Sequence, residues 1–283
     1  MMQVNSRIGI WFGLLKPFLC YDFRMNVPTF DQEKACFEHG LIPIGIDEAG
    51  RGPLAGPVVA AAVLFKSGDF KIPAGREKEF DLIRDSKKLS EIRRETAFAL
   101  VQEFFHVGIG IVSAETIDRV NILQATFLAM KSALSNLERV AGLRGKESSL
   151  VILIDGNQTL PNLSLTQEAI VNGDGLVKSI AAASIIAKVT RDRLIILADH
   201  EYPAYGFARH KGYGTKEHMA ALRKHGPTPI HRKSFRPVEL ANPETVNKRF
   251  SNVLKPKKNR SKPFLPALRS ETKSFFHVAY IVW

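Results

Sequence analysis

The stretch from Ile42 to Phe65 constrains the chain more than any other. Ile42, Ile44 and Ile46 alternate with small residues at the period of a strand, and the run ends at two adjacent carboxylates, Asp47 and Glu48. The nine residues from Ala49 to Pro57 hold three glycines and two prolines, which can neither continue a ladder nor start a helix. The apolar run Val58 to Phe65 then begins a second strand. A hairpin with two acids at its neck is the expected local structure.

Successive side chains on a strand point to opposite faces, so Asp47 and Glu48 meet only if the chain bends just after them, which Gly50 and Gly52 permit. Carboxylates brought together repel by several kcal/mol at low effective dielectric, roughly, unless a cation sits between them or one keeps its proton. Oxygen ligands of this kind suit hard ions such as Mg²⁺ or Mn²⁺. An Asp-Glu-Gly run also suits an ordinary solvated turn, but apolar strands on both sides argue against a loop tip. Gly50-Arg51-Gly52 is not a dinucleotide fingerprint, because Pro53 follows and the chain continues into a strand.

The 283 residues are enough for one large domain or a domain with an appendage. Forty Lys and Arg against 28 acids leave a formal charge of +12, which favours polyanionic partners, nucleic acid first. Two cysteines, Cys20 and Cys36, are too few for a disulfide framework or a zinc site, which places the protein in a reducing, cytoplasmic setting. The apolar segment Ile8 to Leu15 is broken by Lys16 and has no cleavage site after it, so neither a signal peptide nor a membrane span is expected. Residues 1–24 read as an extension without a role, preceding a second methionine, Met25.

After the hairpin, residues 66–79 read as a loop, and Ser90 caps a helix running to about Phe105. His106 to Val112 reads as a third strand and Ala114 to Val140 as one long amphipathic helix. Leu150 to Ile154 is a β-branched run of the kind buried on both faces, and it ends in Asp155-Gly156. A short strand near Ala169 to Val171 leads to Asn172-Gly173-Asp174-Gly175, then to a helix from Ser179 to Ala198. The small residues Ala181-Ala182-Ala183-Ser184 let that helix approach a sheet closely. Alternating elements of these lengths argue an α/β layer fold with a central sheet, in which chemistry collects at the carboxyl ends of strands. Asp47 and Asp155 both lie there.

From Pro203 to Arg236 the chain carries Arg209, Lys211, Lys216, Arg223, Lys224, Arg232, Lys233 and Arg236 against one acid, Glu217, with Tyr205, Phe207, Tyr213 and Phe235 interleaved. Basic groups hold phosphates and aromatic faces stack on sugars or bases, though a solvated basic surface gives the same pattern. Residues 241–283 read as a mobile basic tail that adds nonspecific affinity at most.

Five blocks in order resemble the signatures of ribonuclease HII, the type 2 ribonuclease H: Gly45 to Pro57, Asp85-Ser86-Lys87-Lys88-Leu89, Ile154-Asp155-Gly156, Ala181 to Lys188 and His210 to Thr215. The resemblance spans roughly residues 40–240. It implies an RNase H-like fold, a central mixed sheet flanked by helices with a C-terminal helical, basic extension. It implies an endonuclease that cuts RNA paired to DNA and nicks duplex DNA 5′ of single embedded ribonucleotides, giving 5′-phosphate and 3′-hydroxyl ends.

Carried onto this chain, the resemblance places two Mg²⁺ or Mn²⁺ ions on Asp47, Glu48, Asp155 and Asp174, with Asp192 as the rival fourth acid. Asp192 lies four residues after Lys188 on a predicted helix, where a surface ion pair accounts for it. Main-chain groups of Gly50, Arg51 and Gly52 are expected at the RNA 2′-hydroxyl, Tyr213 at the sugar beside the cut, and Lys87 at a phosphate. The catalytic domain is expected over residues 25–240, acting as a monomer without a membrane. Another RNase H-like nuclease would share the acids but not the pairing of the glycine turn with Tyr213. A basic binding module would share the charge but not turnover.

Overall fold

The structure is a computed structural model describing residues 27–241. Residues 1–26 and 242–283, and with them the expected N-terminal extension and basic tail, lie outside the described residues. Five strands, β1 (Ile42–Ala49), β2 (Val58–Phe65), β3 (Phe105–Val112), β4 (Leu150–Asp155) and β5 (Thr166–Ile170), form one sheet in the order β3-β2-β1-β4-β5. β1, β2 and β3 pair antiparallel, whereas β4 lies parallel to both β1 and β5. The sheet is therefore mixed, and β1 is the strand that joins its two halves.

The helices are α1 (Asp31–Glu38), α2 (Glu77–Phe80), α3 (Glu91–Phe104), α4 (Ala114–Val120), α5 (Ile122–Val140), α6 (Lys178–Glu201), α7 (Phe207–His210), α8 (Lys216–His225) and α9 (Arg236–Ala241). Ile44 and Ile46 face α5, where they pack with Ala125, Ala129, Ala133 and Leu137. On the other face, α6 lays Ala181, Ala182 and Ala183 against Ala61 and Val63 of β2, with α3 behind. The small residues set how near α6 can come. A Cβ at Gly45 would lie 2.4 Å from the Ser179 carbonyl carbon, so only glycine admits the helix there.

The expected strands and helices form, with three corrections. β1 does not stop at the acids; its ladder continues through Ala49, which pairs with Val59. The hairpin loop therefore begins after the carboxylates, and Asp47 and Glu48 are fixed by strand geometry. The loop expected over residues 66–79 closes on the short α2, whose Phe80 is wholly buried. The single long helix over 114–140 is two, because Asn121 sits at φ 70° and ψ 166°, outside helical space. Its side chain accepts the Gln124 N–H and starts α5 afresh.

The entry of α6 is capped from another element. Glu33 of α1 is completely buried and its Oε1 accepts the Ser179 N–H at 2.7 Å. Burial raises its pKa from 4.5 to about 7 against the lowering effect of that hydrogen bond. The folded chain thus keeps a proton that the unfolded chain has given up, so stability falls as pH rises through this window, by up to about 3 kcal/mol. Glu33→Gln keeps an oxygen for the Ser179 N–H and is expected to flatten the slope. Urea midpoints at about pH 5 and about pH 7 check this; an undiminished difference would assign the slope to another group.

Candidate active site

β1 and β4 run parallel with Ile46 opposite Ile154, so the next residues, Asp47 and Asp155, leave the two central strands side by side. By strand alternation Asp47 follows Gly45 onto the α6 face, where Ser184 hydrogen-bonds its carboxylate. Ser184 Oγ lies 3.0 Å from Ser86 Oγ, which ties the Asp85 to Leu89 segment to the same place. Asp174 stands in a 3-10 turn just before α6, and its N–H donates to Asp155 Oδ1 at 3.4 Å. The Glu48 N–H donates to Asp47 Oδ1 at 2.6 Å, and the Glu48 carboxylate pairs with Arg51 at 3.3 Å. Lys87 closes the group with its Nζ 3.6 Å from Asp174.

The charge of Asp155 makes its neighbours harder to ionise. Asp47 is held well above the usual carboxylate range, first by burial, then by the charges of Glu48 and Asp155. Burial raises Glu48 as well; Arg51 opposes the shift and Asp155 adds to it. Asp174 is raised by burial, Asp155 and Asp85 against the pull of Lys87. Lys87 itself is raised: desolvation opposes the shift, and the charges of Asp174, Asp47, Asp85 and Asp155 outweigh it. Among the described residues no three His, Cys, Asp or Glu side chains are drawn tightly enough to hold a metal ion as they stand. The donor set nevertheless fits one: all are hard oxygens, and their excess negative charge is met here by one lysine and one arginine, Lys87 and Arg51.

Asp192 is elsewhere. Its carboxylate faces Lys188 at 2.8 Å and Arg94 at 3.7 Å. The ion pair expected from the spacing exists, but it is buried in the α3–α6 contact and not on the surface.

The glycine turn is gripped by two buried guanidiniums. Arg232, fully buried, donates to the carbonyls of Gly50 at 2.5 Å, Arg51 at 2.9 Å, Gly56 at 3.0 Å and Pro57 at 3.1 Å. Arg191 of α6 donates to Ala55, Pro57 and Lys211 carbonyls. Burial and then the neighbouring Arg191 charge push Arg232 down to about 9, so it stays cationic at neutral pH. Asp118 fixes the next residues by accepting from the Lys233 and Ser234 amides, both at 2.8 Å. Gly50 has φ +98°, and a Cβ there would stand 2.1 Å from Arg191 Nε. Both its conformation and its space exclude any side chain.

This corrects the reading of the basic stretch. Arg232 was counted with the phosphate contacts, but it is an internal clamp. Tyr205 and Phe207 are core residues, stacked on each other at 5.3 Å, so neither presents a face to a base. Tyr213 is the exposed one, at 46 %, and its Cε1 would be 3.5 Å from a Cβ on Gly52. The expected pairing of the turn with Tyr213 is present. The sequence assigns Arg191 no role, because it stands among Lys188, Asp192 and Arg193 on α6 and looks like one more charge on a polar turn.

A sequence profile described as ribonuclease HII matches residues 44–238, which is most of the chain. The chain belongs to the ribonuclease HII family. It is 48% identical over 205 residues to the ribonuclease HII of Clostridioides difficile (strain 630), covering 72% of this chain and 73% of that one. Against the ribonuclease HII of Albidiferax ferrireducens it is 49% identical over 215 residues, covering 76% and 95%. Among solved structures, the ribonuclease H2 of Pyrococcus horikoshii OT3 shares the fold with a TM-score of 0.54 at 24% identity, covering 73% of this chain and 99% of that one. The protein is thus a ribonuclease H, a nuclease acting on RNA paired with DNA. This ribonuclease HII has no helix among its described residues that is long and apolar enough to cross a membrane. The matched span includes both arginine clamps and all four acids, while α1 with Glu33 lies before it.

Arg232→Lys tests the clamp. A lysine ammonium cannot reach four carbonyls in a planar fork, so stability is expected to fall by about 2–4 kcal/mol. The melting temperature should drop by several degrees, about 5 °C or more for a chain of this size. An unchanged melting temperature would show that the turn holds its shape without the guanidinium.

Proposed function

We propose that this ribonuclease hydrolyses the RNA strand of RNA–DNA hybrids and nicks duplex DNA on the 5′ side of single ribonucleotides, leaving 5′-phosphate and 3′-hydroxyl ends. The observation that carries the proposal is one junction: the acids at the ends of β1 and β4 adjoin, through Glu48 and Arg51, the turn on which Tyr213 sits. Asp47, Glu48, Asp155 and Asp174 are the residues that would hold two Mg²⁺ or Mn²⁺ ions. Such ions, when bound, supply an acidified water and offset charge on the phosphate and the leaving 3′-oxygen.

The chain's own residues do the rest. The Gly50-Arg51-Gly52 turn offers its main chain to a 2′-hydroxyl without a side chain in the way at Gly50 or Gly52. Because Arg232 already takes the carbonyl oxygens of Gly50 and Arg51, the turn's contribution is chiefly amide donation. The exposed ring of Tyr213 stacks on the sugar beside the cut. Lys87, 75% exposed in its side chain and drawn toward the acids, is placed to leave Asp174 for a phosphate. A DNA strand offers no 2′-hydroxyl, and a site built to hydrogen-bond that group discriminates strongly against its absence. Residues 25–240 form the catalytic domain in this reading, and the protein works as a cytoplasmic monomer.

The decisive assay is digestion of a duplex holding one ribonucleotide, with and without Mg²⁺ or Mn²⁺. Cleavage 5′ of the ribonucleotide and none of all-DNA is expected; binding without turnover would make the chain a nucleic-acid-binding module. Asp155→Asn should cut turnover by about a hundredfold or more while hybrid binding survives. Asp174→Asn should be severe and Asp192→Asn mild, and the reverse ordering would move the fourth acid to α6. Tyr213→Ala should depress single-ribonucleotide cleavage more than cleavage of long hybrids, which offer alternative registers.

A further inference from the structure

Below Tyr213 lies a cluster that the reaction does not use. His218 of α8 and His231 are both buried, and their Nε2 atoms are 3.0 Å apart. His218 Nδ1 lies 2.9 Å from the Tyr213 carbonyl oxygen. At the other end, the Thr228 N–H reaches His231 Nδ1 at 2.9 Å. Rings enclose the pair: His210 is stacked on His218 at 4.6 Å, Phe207 lies 5.3 Å from His218 and Tyr205 5.1 Å from His231. Burial lowers the pKa of both, that of His231 to about 3, so both rings are neutral near pH 7.

The proton positions follow from the two ends. A carbonyl oxygen only accepts, so His218 Nδ1 carries a hydrogen and its Nε2 is bare. An amide N–H only donates, so His231 Nδ1 is bare and its Nε2 carries the hydrogen. The inner pair is then one donor facing one acceptor, and the ends agree without any adjustment. All four hydrogen-bonding sites of the two rings are satisfied in a single direction, from the Thr228 amide to the Tyr213 carbonyl. The same segment holds the other half of the sugar reader: His231 bridges Ala55, and the next residue is the clamp Arg232. One turn of chain therefore sets both the glycine loop and the tyrosine.

We propose that His218 and His231 are positioning residues, a neutral directional relay that fixes Tyr213 against Gly52 and thereby sets discrimination for a single ribonucleotide. This rests on the reading of Tyr213 as the residue that meets the sugar. The relay acts through the Tyr213 backbone and never touches substrate.

The test is a mutant cycle on the single-ribonucleotide duplex with Mg²⁺, combined with imidazole ¹⁵N spectroscopy of the full chain. His218→Phe fills the space but removes the hydrogen bonds, and it should lower cleavage about tenfold, the worth of one buried hydrogen bond. His218→Asn leaves a cavity but keeps a donor at the Nδ1 position, so it should retain more activity than the Phe variant. A packing role demands the opposite order. In a Tyr213→Ala background the effect of His218→Phe should shrink to about twofold or less, because coupled residues are non-additive. Full additivity over a damaging Tyr213→Ala would overturn the relay and leave Tyr213 as the sugar reader. A silent Tyr213→Ala would overturn that reading and the relay with it. Should His218→Phe fail to fold, the Asn variant carries the cycle. The spectrum of the parent should show His218 protonated on Nδ1 and His231 on Nε2; the opposite tautomers, or a charged ring, would also refute the proposal.

Discussion

The buried guanidinium of Arg232 is the interaction on which the rest of the site depends. A loop of eight residues, 50–57, containing Gly50, Gly52, Gly56, Pro53 and Pro57 has little regular hydrogen bonding of its own, and its carbonyls would be costly to bury unpaired. Arg232 answers four of them with one planar fork, and Arg191 adds Ala55 and shares Pro57. Two like charges are thereby brought near each other in the interior, where main-chain carbonyls accept from both and Asp192 lies 3.9 Å from Arg191. Among the β1 carboxylates, Glu48 pairs with Arg51 of the turn and also feels the charge of Lys87.

The acids obey a complementary logic. Parallel pairing of β1 with β4 delivers Asp47 and Asp155 to the same edge of the sheet, and the turn before α6 adds Asp174. Asp155 raises the proton affinity of Asp47 and of Asp174, which is a cost that a fold selected for stability alone would avoid. The cost is tolerable because the surrounding scaffold is dense. β2 is buried along its whole length, and the first half of α6 is buried on nearly every side.

Much of this could be read from residue order alone. The alternation of Ile42, Ile44 and Ile46, the β-branched run into Asp155 and the small residues at 181–184 each have one structural meaning at that length. The acids were visible because strands end in few other ways. What could not be read was burial of charge. Arg232 sits among seven other basic residues between Pro203 and Arg236, and sequence registers its charge but not the four carbonyls that face it. Tyr205 and Phe207 mislead for the same reason: an aromatic in a basic stretch looks exposed until the fold shows a separate small core of Leu54, Ile195 and Leu222 around it. Asn121 escaped because a single residue at positive φ interrupts a helical period without disturbing it.

The helix α6 has a consequence for motion. Its first turn is anchored by Glu33 and adjoins Asp174, whereas Arg191, about 20 Å further along by helical rise, grips the glycine loop. One continuous, deeply packed rod thus connects the carboxylate edge with the loop. Opening either end independently would require bending that rod or stripping it from the sheet, so the amides at both ends should share a single, high opening free energy in hydrogen exchange, and the two halves of the site breathe together or not at all.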